Sequence, residues 1–146
     1  MAETRNTDHM ARLSALVGRI VPGTDGWPAA GDRATVLAIL ADAERDGDTD
    51  TVDAVLAALP VAFASLAPAG QDDAVSKLAA DTPEVFARFV RHVYNVYYAT
   101  PAVLAVLEAK TGYPARPPLY EGYELDAFDD TLLTTQRQRR PFWRRV

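Results

Sequence analysis

Two Thr-Pro pairs, Thr82-Pro83 and Thr100-Pro101, bracket the most strongly patterned stretch of this chain. Proline suits the first turn of a helix, where its missing N–H costs nothing, and threonine is a favoured residue just before it. Between the pairs, Phe86, Phe89, Val90, Val93, Tyr94 and Tyr97 recur at three- and four-residue intervals, the spacing of one helix face. The segment is predicted to be a helix with this stripe as its core face. Any fold for the chain has to cover it.

The rest of the first 112 residues carries the same period. Met10, Leu13, Leu16, Val17, Ile20 and Val21 mark a helix that stops at Pro22-Gly23. Val36, Leu37, Ile39, Leu40 and Ala43 mark a second, closed by the polar run RDGDTD. Thr51 or Asp50 caps a third, which carries Val52, Val55, Leu56 and Leu59 and ends at Pro60. VAFASLAP reads as a short helix or turn, and Gln71 to Ala80 as a weakly amphipathic helix. Pro101 to Thr111 forms the last helix, with Val103, Leu104, Val106 and Leu107 on its buried side and Gly112 as terminator. No run alternates with period two between turn signals. The fold class is therefore all-α, a compact bundle of about five to six helices over residues 1–112. From Tyr113 onward prolines and aromatics replace periodicity until Phe128 to Leu133. Residues 113–146 read as an extended, irregular C-terminal arm that wraps a partner.

Composition narrows the function. A chain of 146 residues with 49% hydrophobic and 24% charged residues suits one soluble globular unit. Cysteine is absent, which excludes disulfides, thiolate metal sites and a cysteine nucleophile. Two histidines, His9 and His92, are too few for a metal centre built on imidazole. No apolar run reaches the length of a membrane span, and the N-terminus lacks the basic start and apolar stretch of a secretory signal. As written, the chain is expected in the cytoplasm, or exported if a leader is removed or a partner carries it. The last ten residues, RQRRPFWRRV, hold five arginines and no acid, so the formal charge of −5 divides into a body at −10 and a basic tail. The acidic body opposes nucleic acid, and an acidic protein surface is the preferred target of the tail.

Candidate chemistry is thin. The loop PGTDGWPAAGD, Pro22 to Asp32, has the glycines of an anion cradle. It lacks the spacing and the lysine of a phosphate-binding loop and follows a helix instead of a strand. Trp27 within it reads as a packing or interface anchor. His92 sits beside Arg88, Arg91 and Asn95 and reads as solvent-facing or interfacial. Asp72-Asp73 suits the first turn of a helix, where the macrodipole favours acids, and Asp129-Asp130 suits the cap of the turn before Leu132-Leu133. In VYNVYYATPAV, Val93 to Val103, the tyrosines divide: Tyr94 and Tyr97 continue the core stripe, and Tyr98 falls about 100° further round the helix.

IVPGTDGWPAAGD after an N-terminal helix, the proline-started helix leading to VYNVYYATPAVLAVL, and TGYPARPP with a trailing aromatic arm together resemble the gluconate 2-dehydrogenase subunit 3 family. The likeness covers roughly Leu13 to Arg116. It implies a small, non-catalytic accessory subunit that binds and stabilises a flavoprotein large subunit of the glucose-methanol-choline type acting on sugars or alcohols. Such a complex is a hetero-oligomer in which FAD and the catalytic residues belong to the partner, so that this chain has no cofactor and no catalytic site of its own. Residues expected at the interface, as aromatic or arginine anchors, are Trp27, Tyr97, Tyr98, Tyr113, Arg116, Tyr120, Tyr123, Phe142 and Trp143. The alternative is a self-sufficient helical binding module or homo-oligomer that docks through its basic tail.

Overall fold

The computed structural model describes residues 2–112 and 127–138, and of these the side chains from Thr7 onward except that of Gln136. The chain divides into two units, residues 1–115 and 116–146. Among the described residues the fold is all-α, with no strand. In the first unit the helices are α1 (Ala2–Ile20), α2 (Arg33–Arg45), α3 (Thr49–Ala58), α4 (Pro68–Asp81), α5 (Pro83–Ala99) and α6 (Pro101–Thr111), with a 3₁₀ turn at Phe63–Ser65. The second unit contributes a 3₁₀ turn, Asp130–Leu133, and one short helical segment, α7 (Thr134–Gln138). Asp129 caps that turn through the Thr131 amide at 2.9 Å, as the sequence suggested.

The central element is α5, which packs against α2, α3, α4 and α6, while α1 packs against the Phe63–Ser65 turn, α2, α3 and α4. The core they enclose includes Leu13, Leu16 and Val17 of α1, Val36 and Ile39 of α2, Val55 of α3, Phe63, and Phe89 and Val93 of α5. At α1 and α3 the buried residues are those that the apolar period marked. Thr51 of α3 is one buried exception and Arg12 of α1 another. Its guanidinium reaches the carbonyls at the end of α3, Leu59 O at 2.7 Å and Leu56 O closer still. A cation at a helix C-terminus meets both the orphan carbonyls and the negative end of the dipole, so Arg12 acts as the cap that Leu59-Pro60 cannot supply.

Several helix starts differ from the sequence reading, each for a local reason. α1 begins at Ala2 instead of Met10, because its polar first turns carry no apolar stripe to mark them. α3 starts at Thr49 with Asp48 in the cap position, ahead of the expected Thr51 or Asp50. α4 starts at Pro68, another proline in a first helical turn, so Asp72 lies beyond the first turn. Its carboxylate instead takes Arg19 of α1, with Nε at 2.8 Å. Thr82 and Thr100 place no side-chain bond on the helix that follows. Their hydroxyls turn back and donate to Leu78 O at 2.9 Å and Tyr97 O at 2.8 Å, closing the helix behind. α6 ends at Gly112 with φ 70°, a left-handed conformation suited to glycine. Of its expected buried side only Val103 is fully covered, and Leu104, Val106 and Leu107 are half-buried.

The face of α5 is turned from the predicted one. Phe89, His92, Val93 and Tyr97 are buried, with Val96 half-buried between them, so the inward stripe runs i, i+3, i+4, i+7, i+8 from Phe89. Tyr94, expected in the core, is 44% exposed, and Leu37 of α2 is 47% exposed. His92, expected at the solvent, has no exposed surface at all.

Candidate functional site

The loop between α1 and α2 is shaped by its glycines and by one tight crossing. Gly23 has φ 71°, and a Cβ there would stand 2.6 Å from the Ala29 nitrogen. At Gly31 a Cβ would stand 2.7 Å from Ser14 O and 3.1 Å from Gly18 Cα, so the loop crosses α1 glycine against glycine. Trp27 N donates to Thr24 O at 2.8 Å, and Ala30 N to Val21 O at 3.1 Å. These bonds turn the Trp27 ring against the body, where it packs on the core. Lys110, in the last turn of α6, lies 5.8 Å from the indole centroid, a cation–π distance.

Tyr97 ties α5 to this loop. Its hydroxyl donates to Pro28 O at 2.8 Å, and burial, with neighbouring Tyr98, holds its phenol pKa above the ordinary 10.0. Tyr98 meets Tyr97 edge-on at 5.2 Å between ring centroids and lies 6.1 Å from Tyr94. Tyr98 is 52% exposed. Tyr94, Tyr97, Tyr98 and Trp27, with the Ile20–Thr24 segment, line a shallow depression of about 290 Å³. Of the nine residues expected at an interface, the structure therefore brings Trp27, Tyr97 and Tyr98 together, with Tyr97 facing inward and Tyr98 outward. Tyr113, Arg116, Tyr120, Tyr123, Phe142 and Trp143 lie outside the described residues. Tyr94, assigned to the core by its spacing, joins the exposed rings.

The second cluster was hidden from the sequence reading. His92 of α5 is clamped between two carboxylates: Nδ1 lies 2.8 Å from Asp42 Oδ2 at the end of α2, and Nε2 lies 3.1 Å from Asp48 Oδ2 at the start of α3. Arg45 closes on the other oxygen of Asp42, the Thr51 hydroxyl donates to Asp48, and Arg88 and Arg91 stand 3.9 and 4.0 Å from Asp48. The His92 hydrogen bond, opposed by burial and helped by Arg45, holds the Asp42 carboxyl below its ordinary 3.8. The Thr51 and His92 hydrogen bonds do the same for Asp48. Burial pulls the His92 pKa down, but the hydrogen bonds and charges of the two carboxylates outweigh it and leave the value above 6.5.

Chemically, this arrangement saturates the imidazole. A general base needs a free lone pair within reach of a substrate proton, and both ring nitrogens of the buried imidazole here face carboxylates. Among the described residues one His/Asp group, Asp42, Asp46 and His92, has atoms within 4.8 Å of one another. The Arg45 guanidinium already bonds to Asp42 and stands 3.8 Å from Asp46, so an arginine supplies positive charge beside these carboxylates. The cluster is an ion-pair network that joins three helices. The signal that would have found His92 is its place three residues after Phe89 and one before Val93.

Comparisons with protein-family models, with curated proteins and with solved structures give no match for this chain.

Proposed function

We propose that this chain is a non-catalytic helical subunit that docks on a larger protein through the aromatic face of Trp27, Tyr94 and Tyr98, and that the partner is a flavin-dependent sugar or alcohol oxidoreductase of the glucose-methanol-choline type. The observation that carries the docking face is the pair Tyr94 and Tyr98, 44% and 52% exposed beside an open apolar depression. Large aromatic rings left at a surface are enriched at interfaces, where ring and hydroxyl serve together. The saturated state of His92 supports a role without chemistry of its own. The flavoprotein partner follows from the family likeness, as do the proposed interface roles of Tyr113, Arg116, Tyr120, Tyr123, Phe142 and Trp143. In such a complex the partner holds FAD and oxidises the carbinol, and this chain stabilises its fold.

Co-expression of the tagged chain with the product of the adjacent reading frame tests both parts. The expected result is a co-purified yellow protein with flavin absorbance, whose yield falls when Tyr94 and Tyr98 are both changed to serine. Co-purification without flavin would discard the oxidoreductase partner and keep the docking face. If the double variant captures as much partner as the parent, the aromatic face is not the interface.

A further inference from the structure

We propose that the Asp42–His92–Asp48 cluster is a pH-sensitive latch, closed while the imidazole carries both protons and released when it loses one, and that it fastens the α2–α3 corner to α5. The argument begins with donors and acceptors. An ionised carboxylate only accepts, and a neutral imidazole has a single N–H. With Asp42 at 2.8 Å from Nδ1 and Asp48 at 3.1 Å from Nε2, a neutral ring, itself without exposed surface, would turn one lone pair toward a carboxylate oxygen. Only the imidazolium satisfies both contacts.

The surroundings keep the two carboxylates ionised. From α2, Arg45 bonds to Asp42, and Asp46 stands just beyond it. From the corner, Asp48 takes the hydroxyl of buried Thr51. From α5 itself, Arg88 and Arg91 approach Asp48 from the exposed side. These arginines oppose a positive ring, as burial does, yet neither lies between the ring and its partners. Direct contact with two anions decides the outcome, and the His92 pKa is correspondingly raised.

Among the described residues, the corner's other polar ties to α5 are the long contacts of Arg88 and Arg91 with Asp48, at 3.9 and 4.0 Å. The corner's backbone is closed on itself: Gly47, at φ 69°, ends α2, and Asp48 N bonds to Ala43 O at 2.8 Å. The His92 contacts are the shortest polar ties of this turn to α5, so their loss acts first on the turn. The groove beside it, between α2 and α5, is lined by Ala38, Asp42, Arg45, Asn95, Val96 and Ala99 among others. Asp42 belongs to both the latch and this groove, so a change at the latch reaches the groove directly.

The direction with pH follows from the two shifts. A raised histidine value contributes stability in full below 6.5 and loses it as pH rises through the folded-state value. The depressed aspartates contribute above 3.8 and lose their contribution as pH falls. The latch is closed between these limits and opens on the alkaline side through His92.

The test is nitrogen-15 NMR of the imidazole rings in the full chain, with amide hydrogen exchange, corrected for intrinsic rates, followed over residues 43–51 across the same pH range. His92→Gln identifies the His92 signals against those of His9. The expected result is a ring mostly protonated on both nitrogens at pH 6.5, with a midpoint above 6.5, and corner exchange that accelerates with that same midpoint. Should His92→Gln not fold, Asp48→Asn at the half-buried end identifies the signals and is expected to lower the midpoint by about one pH unit, the effect of removing one adjacent anion. A midpoint at or below 6.5, an unchanged midpoint in Asp48→Asn, or corner exchange indifferent to the His92 titration would each overturn the proposal.

Discussion

Changing Tyr97 to phenylalanine removes one oxygen and keeps the ring, which makes it a narrow probe of how α5 holds the Trp27 loop. The oxygen lies 2.8 Å from the Pro28 carbonyl, on a side chain that is 4% exposed. A neutral hydrogen bond contributes roughly 0.5–1.5 kcal/mol net, and an acceptor left buried without a partner costs about 1–3 kcal/mol. Pro28 is half-buried, so water reaches the abandoned carbonyl in part, and about 1 kcal/mol is the expected loss. For a helical unit of this size that corresponds to a fall of about 4 °C in Tm. Tyr97→Ala also empties the ring's space and is expected to cost about 3–5 kcal/mol. Tyr98→Phe, half-exposed and with no side-chain hydrogen bond among the described residues, stays within about 0.5 kcal/mol. Thermal and urea unfolding followed by circular dichroism measures all three. The reasoning fails if Tyr97→Phe melts with the parent, or if Tyr98→Phe falls as far as Tyr97→Phe.

Three further outcomes are expected. Gly31→Ala forces a methyl to within 2.7 Å of Ser14 O, and overpacking against backbone costs about 1–3 kcal/mol, read as a lower urea midpoint. Arg12→Met leaves Leu56 O and Leu59 O without their donor; relief of guanidinium desolvation offsets part of the loss, and about 2 kcal/mol of stability should go, with faster amide exchange in the last turn of α3. Asp32 caps α2 through Ala34 N at 2.9 Å and Thr35 N at 3.0 Å, so Asp32→Ala should cost about 1 kcal/mol at neutral pH. The Thr35 hydroxyl and amide hold the Asp32 carboxyl below 3.8. Its charged cap contributes above 3.8 and fades as pH falls through its folded value, so parent and variant should converge in acid unfolding titrations.

What was legible in the sequence was whatever adjacent residues decide. Pro83 and Pro101 begin helices and Gly112 ends one, because a fixed φ, a missing N–H and a free left-handed conformation are properties of single residues. The apolar spacing of α1 and α3 named their buried sides for a similar reason. Thr82 and Thr100 show the limit. Each lies between two helices, and its hydroxyl can serve the amides ahead or the carbonyl behind. The structure chooses the carbonyl in both cases, and nothing in the Thr-Pro pair distinguishes the two. The crossing at Gly31 depends on Ser14 and Gly18 of α1, a closeness that exists only after the loop has folded back.

His92 and Tyr94 were exchanged by the same cause. A periodicity argument scores histidine as polar and tyrosine as apolar, and on that scoring the stripe of α5 passes through Tyr94. Yet burial of an imidazole depends on what faces it, and Asp42 and Asp48, 50 and 44 residues away in sequence, turn its two nitrogens from a liability into an ion-pair tie. Once His92 is accepted inside, the helix rotates enough to leave Tyr94 beside Tyr98 on the outside. The inner network and the outer aromatic face are therefore one structural decision, made at the point where α5 meets the α2–α3 corner. A substitution that expels His92 should change the setting of Tyr94 and Tyr98 as well, whereas one at Tyr98 should leave the inner network as it stands.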